Sequence, residues 1–274
     1  MTDNTLLAHR VEGEGEPLLL LNGGLMTYAA WEPLSTRLRK HHRLILCDLR
    51  GQLLSPGLAP RDLAGNVADL TALLDHLGLD SVHVLGASYG GEVGLLMAAL
   101  APRRVRSLIA VTVADYADEA MRVDGEEWRR LLAAATDLES RGRFYEHLVG
   151  SVYSDAFRRR FGNELAARRS QVAAMPDDWW SSLRSIFEAV ASLDLRPDLG
   201  AIRTPTLIVL AASDRLMPAG RSLTLAAAIA GAETRMHETS GHALVAEDPG
   251  WLARVSLDFL ARHARHGAAA ANDR

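Results

Sequence analysis

The chain has 274 residues, of which 48% are hydrophobic and 23% are charged, and its formal net charge is −4. This length and composition predict one large α/β domain or a core with an insertion, and the lack of a basic block argues against a nucleic-acid partner. The single cysteine, Cys47, excludes an internal disulfide and a zinc cluster built from thiolates.

Targeting signals are not evident in the sequence. Residues 1–16 are polar and lack the apolar core of a signal peptide. No apolar run approaches the ~20 residues that cross a bilayer. We therefore expect a cytoplasmic protein that does not associate with membranes.

The first part of the chain alternates apolar runs with amphipathic segments. Residues 11–17 contain closely spaced glycines and predict a hairpin turn before a buried strand at residues 18–21. That strand ends in Asn22 and a glycine pair, which lets the backbone approach a ligand closely. A helix, a buried strand and a second helix are expected next, at residues 31–40, 44–47 and 62–77.

The pattern Gly-x-Ser-x-Gly at residues 86–90 separates a β-branched run at residues 81–85 from a helical segment at residues 92–100. The order of strand, tight turn and helix would expose the hydroxyl of Ser88 on strained backbone, beside unpaired N–H groups of the new helix. Such a hydroxyl is suited to acyl transfer. The alternative is a Gly-Ser turn that only joins a strand to a helix.

After a further strand at residues 105–113, the stretch 115–201 contains no buried strand pattern. Helical spacing predicts four helices there, at residues 126–138, 144–152, 156–174 and 179–193. Most of the aromatic residues of the chain lie in this stretch. We interpret it as a helical cap that folds over the site, because it leaves from the edge of the sheet where the functional candidates gather. The alternative is a set of helices that only pack on the core.

The α/β pattern then resumes. Two strands and two helices are expected in alternation, at residues 205–210, 222–230, 234–237 and 249–262. These elements assign the core to residues 1–114 and 202–262, the cap to residues 115–201 and a disordered tail to residues 263–274.

This alternation predicts a mostly parallel, doubly wound central sheet of about eight strands, with the chemistry at the carboxyl ends of the strands. Ser88, Asp214 and His242 each follow a predicted strand at that edge. Asp115 also follows a strand there and is an alternative acid, disfavoured because it opens the insertion.

Along the chain the three candidates come in the order nucleophile, acid, base, and in this the chain resembles the α/β-hydrolase fold superfamily. Within that superfamily it resembles the cap-bearing serine hydrolases of the esterase and lactonase kind. The matching motifs are at residues 86–91, 48–51, 210–214 with Pro218, and 241–242 with 247–249. Two features depart from the family pattern. Asn22 precedes Gly23 where members usually carry histidine, and residues 52–55 replace the usual Gly-x-Gly rhythm after Arg50.

The chemistry of acyl transfer assigns a role to each candidate. Ser88 would attack a carbonyl carbon, His242 would act as base and then as acid, and Asp214 would hold the imidazole. The backbone N–H groups of Gly24 and Tyr89 are expected to form the oxyanion hole. The expected substrate pocket is apolar and is walled by Leu25, Met26, Tyr28, Tyr116, Trp179, Leu216, Met217 and Leu244.

The expected function is hydrolysis of an ester, lactone or thioester of a small, largely apolar acyl group through an acyl-enzyme on Ser88. Alternatives are a hydrolase of carbon–carbon bonds, a lyase or cyclase that uses the same triad for acid–base chemistry, and a silent binding protein. The expected partner is a small-molecule substrate; no metal or organic cofactor is implied, and a homodimer is left open. Arg50 is expected to pair with Asp48, and a substrate clamp is the alternative.

Overall fold

A computed structural model describes residues 6–55, 57, 60 and 62–264 of the chain. The predicted disordered tail lies outside these residues from residue 265 onward. Seven strands are present in the described part: β1 (His9–Glu12), β2 (Glu16–Leu21), β3 (His42–Cys47), β4 (Val82–Ala87), β5 (Val105–Val111), β6 (Thr206–Ala211) and β7 (Glu233–His237).

The strands form one sheet in the order β1-β3-β2-β4-β5-β6-β7. Every neighbouring pair is parallel except β1 and β3, which are antiparallel. The predicted mostly parallel α/β sheet is confirmed, with seven strands in the described residues rather than about eight.

Twelve α-helices connect and flank the strands in the described part of the chain: α1 (Glu32–Leu38), α2 (Leu63–His76), α3 (Tyr89–Leu100), α4 (Glu119–Ala134), α5 (Leu138–Val152), α6 (Asp155–Arg160), α7 (Gly162–Ala173), α8 (Asp177–Ala191), α9 (Arg196–Leu199), α10 (Ala219–Ala227), α11 (Leu244–Glu247) and α12 (Pro249–Arg262). Within this part, no helix combines the length and the apolar character needed to span a membrane.

The sheet has an apolar layer on each face, as its strand sequences require. Alternate residues of β2 point to opposite faces. Leu19 and Leu21 pack with the cluster that includes α2, α3 and α10, and Leu18 and Leu20 pack with the cluster that includes α1 and α12. A continuous apolar strand is therefore buried on both faces, which is typical of a doubly wound sheet.

The predicted hairpin is wrong in one respect. The turn at Gly13 and Gly15, both of which have positive φ, does join β1 to β2. However, β1 pairs with β3, and β2 lies between β3 and β4. The buried run of β2 requires neighbours on both edges, whereas β1, with Arg10 and Val11 exposed, is suited to the edge of the sheet.

Helices α4–α9 lie between β5 and β6, and we call residues 115–201 the insertion. Its helices have their own aromatic cluster, which includes Trp128, Phe144 and Trp180. The helix expected at residues 156–174 is two helices, because Phe161 leaves helical geometry (φ −116°, ψ 23°). The two ends of the insertion pair in an antiparallel bridge between Tyr116 and Asp194. The boundaries between core and cap stay a prediction.

Candidate active site

Ser88 lies between β4 and α3 with φ 51° and ψ −125°, a region that non-glycine residues rarely adopt. The turn is so tight that side chains are excluded beside it. A Cβ atom on Gly86 would lie 2.3 Å from the carbonyl oxygen of Gly90, and one on Gly90 would lie 2.3 Å from that of Leu21. The chain therefore forms a strained elbow at Ser88. The two glycines are required because the backbones of β4, α3 and β2 come into contact there.

Asp214 and His242 lie on the loops that follow β6 and β7. The side chain of Asp214 is fully buried, and that of His242 is 9% exposed. Oδ2 of Asp214 is 2.9 Å from Nδ1 of His242. Oδ1 of the same carboxylate accepts hydrogen bonds from the amides of Leu216 (2.9 Å) and Met217 (2.8 Å). One oxygen is therefore fixed by backbone, and the other is left to orient the imidazole.

The electrostatic surroundings of His242 favour the imidazolium. Burial alone would lower its pKa, but the charge of Asp214 and the hydrogen bond to it, with a smaller effect of Glu92, raise the pKa above the ordinary value. A base of this kind holds a proton more readily after taking it from a hydroxyl.

Contacts to β5 link the serine to the histidine loop. The amide of Ser88 donates to the carbonyl of Val111 at 2.8 Å. Thr112, the residue after Val111, places its hydroxyl 3.3 Å from the carbonyl oxygen of His242. Since Thr112 has positive φ (51°), the chain turns sharply at this point. The loops of Ser88 and His242 therefore meet at one edge of the sheet.

The expected oxyanion-hole residues are also adjacent. A Cβ atom on Gly24 would lie 3.9 Å from Cβ of Tyr89, and one on Gly23 would lie 3.6 Å from Cβ of Ser88. Within the part of the chain that the structure describes, the amides of Gly24 and Tyr89 donate to no protein acceptor. The phenol of Tyr89 is directed to α2, where it accepts a hydrogen bond from Asn66 at 2.8 Å.

The residues expected as pocket walls divide into groups. Leu25, Trp179 and Leu216 pack against the aromatic cluster of the insertion. Met26 packs against the core cluster of α1 and α12, and its sulfur lies 3.4 Å from the amide nitrogen of Gly23. Leu25, Trp179 and Leu216 are therefore the expected wall residues that share one apolar region.

The other expected wall residues lie in different surroundings. Tyr28 packs on the core cluster near α1, and Leu244 is fully buried in the same cluster. Met217 is buried three residues after Asp214.

Tyr116 lies between two guanidinium groups at the base of the insertion. The guanidinium carbons of Arg196 and Arg221 are 4.0 Å and 3.9 Å from the centroid of its ring. The tyrosine is thus part of the connection between the insertion and α10.

Contacts in the structure bear on two alternatives that the sequence left open. The carboxylate of Asp115 pairs with Arg221 of α10 and does not contact the imidazole of His242. The expectation that Arg50 pairs with Asp48 is wrong. Its guanidinium makes a bidentate pair with Asp69 of α2, at 2.8 Å and 2.7 Å, because that helix packs beside the loop after β3.

Glu92 was not identified from the sequence. It lies in the first turn of α3, is completely buried, and accepts a long hydrogen bond of 3.4 Å from the amide of Ala114. Burial raises its pKa to about 7, while Ala114 and the charge of His242 act in the opposite direction. The only signal in the sequence is an acidic residue in an otherwise apolar helix.

The sequence presents Glu247 only as part of the motif at residues 247–249. Its carboxylate accepts from the amide of Gly241 (3.1 Å) and from the amide (2.8 Å) and hydroxyl (2.6 Å) of Ser154. It therefore ties the histidine loop to the insertion.

A buried polar network of Asn22, Asp48 and Gln52 supports the loop that carries Gly24. Asn22 and Gln52 are positions at which the sequence departs from the family pattern, and Asp48 belongs to one of the matching motifs. No group of three His, Cys, Asp or Glu side chains among the described residues could hold a metal ion.

Comparisons with known proteins identify the family of the chain. A family model described as alpha/beta hydrolase fold matches residues 16–249. A protein of Azorhizobium caulinodans named "Putative carbamate hydrolase RutD" is 30% identical over 258 residues, which cover 92% of this chain and 94% of the relative. The 2-hydroxy-6-oxo-2,4-heptadienoate hydrolase of Pseudomonas putida is 29% identical and covers 91% of this chain and 90% of its own.

Among solved structures, an alpha/beta hydrolase enzyme from a Medee basin deep-sea metagenome library superposes with a TM-score of 0.88. It is 21% identical and covers 96% of each chain, so this likeness concerns the fold alone. Because the family model spans most of the chain, the protein belongs to the α/β-hydrolase fold family and is a hydrolase of that fold.

Proposed function

We propose that this enzyme hydrolyses an ester, lactone or thioester of a small, largely apolar acyl group, with Ser88 as nucleophile. The observation that carries the proposal is the hydrogen-bonded pair of Asp214 and His242 on loops at the same sheet edge as the strained elbow of Ser88. A hydroxyl is a weak nucleophile at neutral pH, so a base beside it is needed.

The reaction would proceed in two halves. In the first, Oγ of Ser88 forms a bond to the carbonyl carbon while its proton moves to Nε2 of His242, the ring nitrogen that Asp214 does not occupy. Collapse of the tetrahedral intermediate breaks the bond to the leaving group, which takes that proton. In the second half, water repeats the attack on the acyl-enzyme and releases the carboxylic acid and Ser88.

The developing oxyanion would be stabilised by the amides of Gly24 and Tyr89. Both lie beside Ser88, and neither is used by another acceptor among the described residues. Each such donor contributes a factor of about 10²–10³ to kcat in enzymes that use this device.

The preference for an apolar acyl group follows from what adjoins the three loops. Leu25 follows Gly24, Leu216 is two residues after Asp214, and Ala243 follows His242, and all three pack against the aromatic cluster of the insertion. We therefore propose that the insertion is a cap that offers apolar surface to the substrate and excludes water.

The direct test is turnover of p-nitrophenyl butyrate by the wild type and by Ser88→Ala. We expect the variant to lose a factor of about 10⁴ or more in kcat, because the other hydroxyl of the elbow, the phenol of Tyr89, is bonded to Asn66 of α2. Ser192→Ala is the matched control and should retain full activity, because among the described residues the hydroxyl that it removes bonds only to the carbonyl of Ala189 in the insertion. A Ser88→Ala enzyme with most of the wild-type rate would refute the proposal.

A second candidate is hydrolysis of a carbon–carbon bond. It is favoured by the similarity to the relative from Pseudomonas putida, whose named substrate carries a ketone and a carboxylate but no ester. Turnover of a 2-hydroxy-6-oxo-dienoate without any turnover of esters, lactones or thioesters would replace the first proposal with this one.

A further inference from the structure

The side chain of Gln52 is buried in the loop between β3 and α2 and reaches across to the loop that carries Gly24. Its Nε2 donates to the carbonyl oxygen of Gly23 at 2.8 Å. Its Oε1 accepts from the amide of Leu49 at 2.8 Å and from Nδ2 of Asn22 at 3.1 Å. Three hydrogen bonds therefore hold this amide group in one place.

The orientation of the Gln52 amide follows from its partners. The amide of Leu49 can only donate and the carbonyl of Gly23 can only accept, so Oε1 must face Leu49 and Nε2 must face Gly23. Asn22 is oriented in the same manner, since its Oδ1 accepts from Nε1 of Trp31 at 2.6 Å and its Nδ2 donates to Asp48 at 2.9 Å. A donor is therefore directed at the Gly23 carbonyl by a chain of fixed contacts.

The carbonyl of Gly23 and the amide of Gly24 belong to the same peptide unit. A trans peptide is planar, so its C=O and N–H point in opposite directions and cannot rotate separately. A hydrogen bond that fixes the carbonyl therefore also fixes the direction of the N–H. It further polarises the N–H, because hydrogen bonds in a chain strengthen one another.

We propose that Gln52 is a positioning residue that, by holding the Gly23 carbonyl, aims the Gly24 amide at the oxyanion formed on the substrate. The inference rests on the proposed function, because it presumes an oxyanion at this site. Gln52 does not touch the substrate in this account; it acts through the peptide that does. The amide of Met26 also donates to the Gly23 carbonyl, at 3.0 Å, but it belongs to the same loop and moves with it.

Ser55 provides a matched comparison within the same loop. Its hydroxyl donates to the carbonyl of Asp48 at 2.5 Å and accepts from the amide of Ala8 at 3.0 Å. It is buried like Gln52 but makes no contact with Gly23. A variant at Ser55 therefore reports on loosening of the loop alone, whereas a variant at Gln52 also releases the Gly23–Gly24 peptide.

The experiment compares Gln52→Met and Gln52→Glu with Ser55→Ala and with the wild type on p-nitrophenyl butyrate. Methionine keeps the length of the side chain and removes the hydrogen-bond donor. Glutamate also removes the donor but keeps an acceptor for the amide of Leu49, so it can be used if the methionine variant does not fold. Both Gln52 variants should lower kcat by about 10-fold and leave KM within about twofold, because the contact acts in the transition state. Ser55→Ala should keep the wild-type kcat.

A second readout is inhibition by a trifluoromethyl ketone, to whose carbonyl carbon Oγ of Ser88 adds to give an oxyanion. Its inhibition constant should rise in the Gln52 variants by the same factor as kcat falls. The role of Gln52 would be overturned if its variants kept the wild-type kcat and inhibition constant. It would also be overturned if kcat fell equally in Ser55→Ala. In either case Ser88→Ala still tests the proposed function independently. A wild type inert to both compounds would overturn both proposals.

Discussion

At the scale of single residues, the most unusual group is the carboxyl of Glu92. It is completely buried, one oxygen accepts only a long hydrogen bond from Ala114, and the other has no partner among the described residues. Burial raises its pKa to about 7, so the folded state binds this proton more tightly than the unfolded chain does. The stability that the protonated group provides is complete below the ordinary pKa of glutamate and is lost as the pH rises through about 7.

Glu92→Gln should therefore change the pH dependence of stability. The free energy of unfolding of the variant should rise relative to the wild type between pH 5 and pH 8, by about 2 kcal/mol, because the amide never carries the buried charge. Urea unfolding at several pH values measures the difference. A difference that stays constant over this range would contradict the assigned burial cost.

Asp214 should control the acid limb of the pH profile. Since Asp214 is the main group that raises the pKa of His242, the midpoint of the acid limb of kcat/KM should lie above 6.5 in the wild type. Asp214→Asn should move that midpoint to lower pH and reduce the maximal rate.

Asp115→Asn is the control for this prediction, because its carboxylate pairs with Arg221 instead of the imidazole. It should leave the midpoint in place. A shift caused by Asp115→Asn, with none caused by Asp214→Asn, would exchange the roles of the two acids.

The sequence could identify Ser88, Asp214 and His242 as candidates because each follows a recognisable strand. It could not identify Gln52 or Glu92. The contact of Gln52 with Gly23 joins two loops whose approach depends on strand order, and Glu92 lies on an otherwise apolar helix whose burial follows from packing.

At the scale of elements, the β4–α3 elbow depends on close backbone contact. Gly90→Ala would place a Cβ atom 2.3 Å from the carbonyl oxygen of Leu21, which belongs to the neighbouring strand and cannot move aside. We expect the variant to lose more than about 3 kcal/mol in the free energy of unfolding or to be insoluble.

Gly125→Ala in α4 is the matched control, because nothing lies within 4 Å of its added Cβ. Alanine is the better helix former, so this variant should gain about 0.5–1 kcal/mol. Equal stability of both variants in denaturant titrations would contradict the close packing of the elbow.

Apolar runs in the sequence predict the buried strands because parallel strands are covered on both faces. Two features are not predictable in this way. The first is the partner of β1, which depends on how β1, β2 and β3 compete for pairing edges. The second is the break at Phe161 between α6 and α7, which is marked in the sequence only by Gly162 and Asn163, residues that a helix tolerates singly.

At the scale of the whole molecule, the insertion is joined to the core by apolar packing, with Ile186, Ala189 and Leu193 in the core cluster of α2 and α3, and by polar contacts at its base. Arg221 of α10 pairs with the buried Asp115 and stacks on Tyr116. The amide of Leu195 donates to the carbonyl of Asp115 at 2.7 Å, which closes the base of the insertion. Helical spacing predicts the helices but not this docking, because the contacts join residues 80 positions apart (Asp115 and Leu195) and 106 positions apart (Asp115 and Arg221).

Arg221→Leu should weaken the docking of the insertion. It leaves the buried carboxylate of Asp115 without its charged partner, so the free energy of unfolding should fall by about 2–4 kcal/mol. Arg196→Leu is the control, since Arg196 stacks on the same ring but pairs with a more exposed carboxylate, and it should cost less than about 1 kcal/mol. Hydrogen exchange should also rise in the insertion only for Arg221→Leu; equal losses in both variants would contradict this account.

The most direct test of the account is the intact mass of the protein after reaction with an alkyl fluorophosphonate. Ser88 should displace fluoride and gain one phosphonyl group in the wild type; Ser88→Ala should gain none, and His242→Ala should react far more slowly because the proton of the hydroxyl has no acceptor. A folded wild type that stays unlabelled would favour lyase or cyclase chemistry without an acyl-enzyme, and equal labelling of Ser88→Ala would place the nucleophile elsewhere.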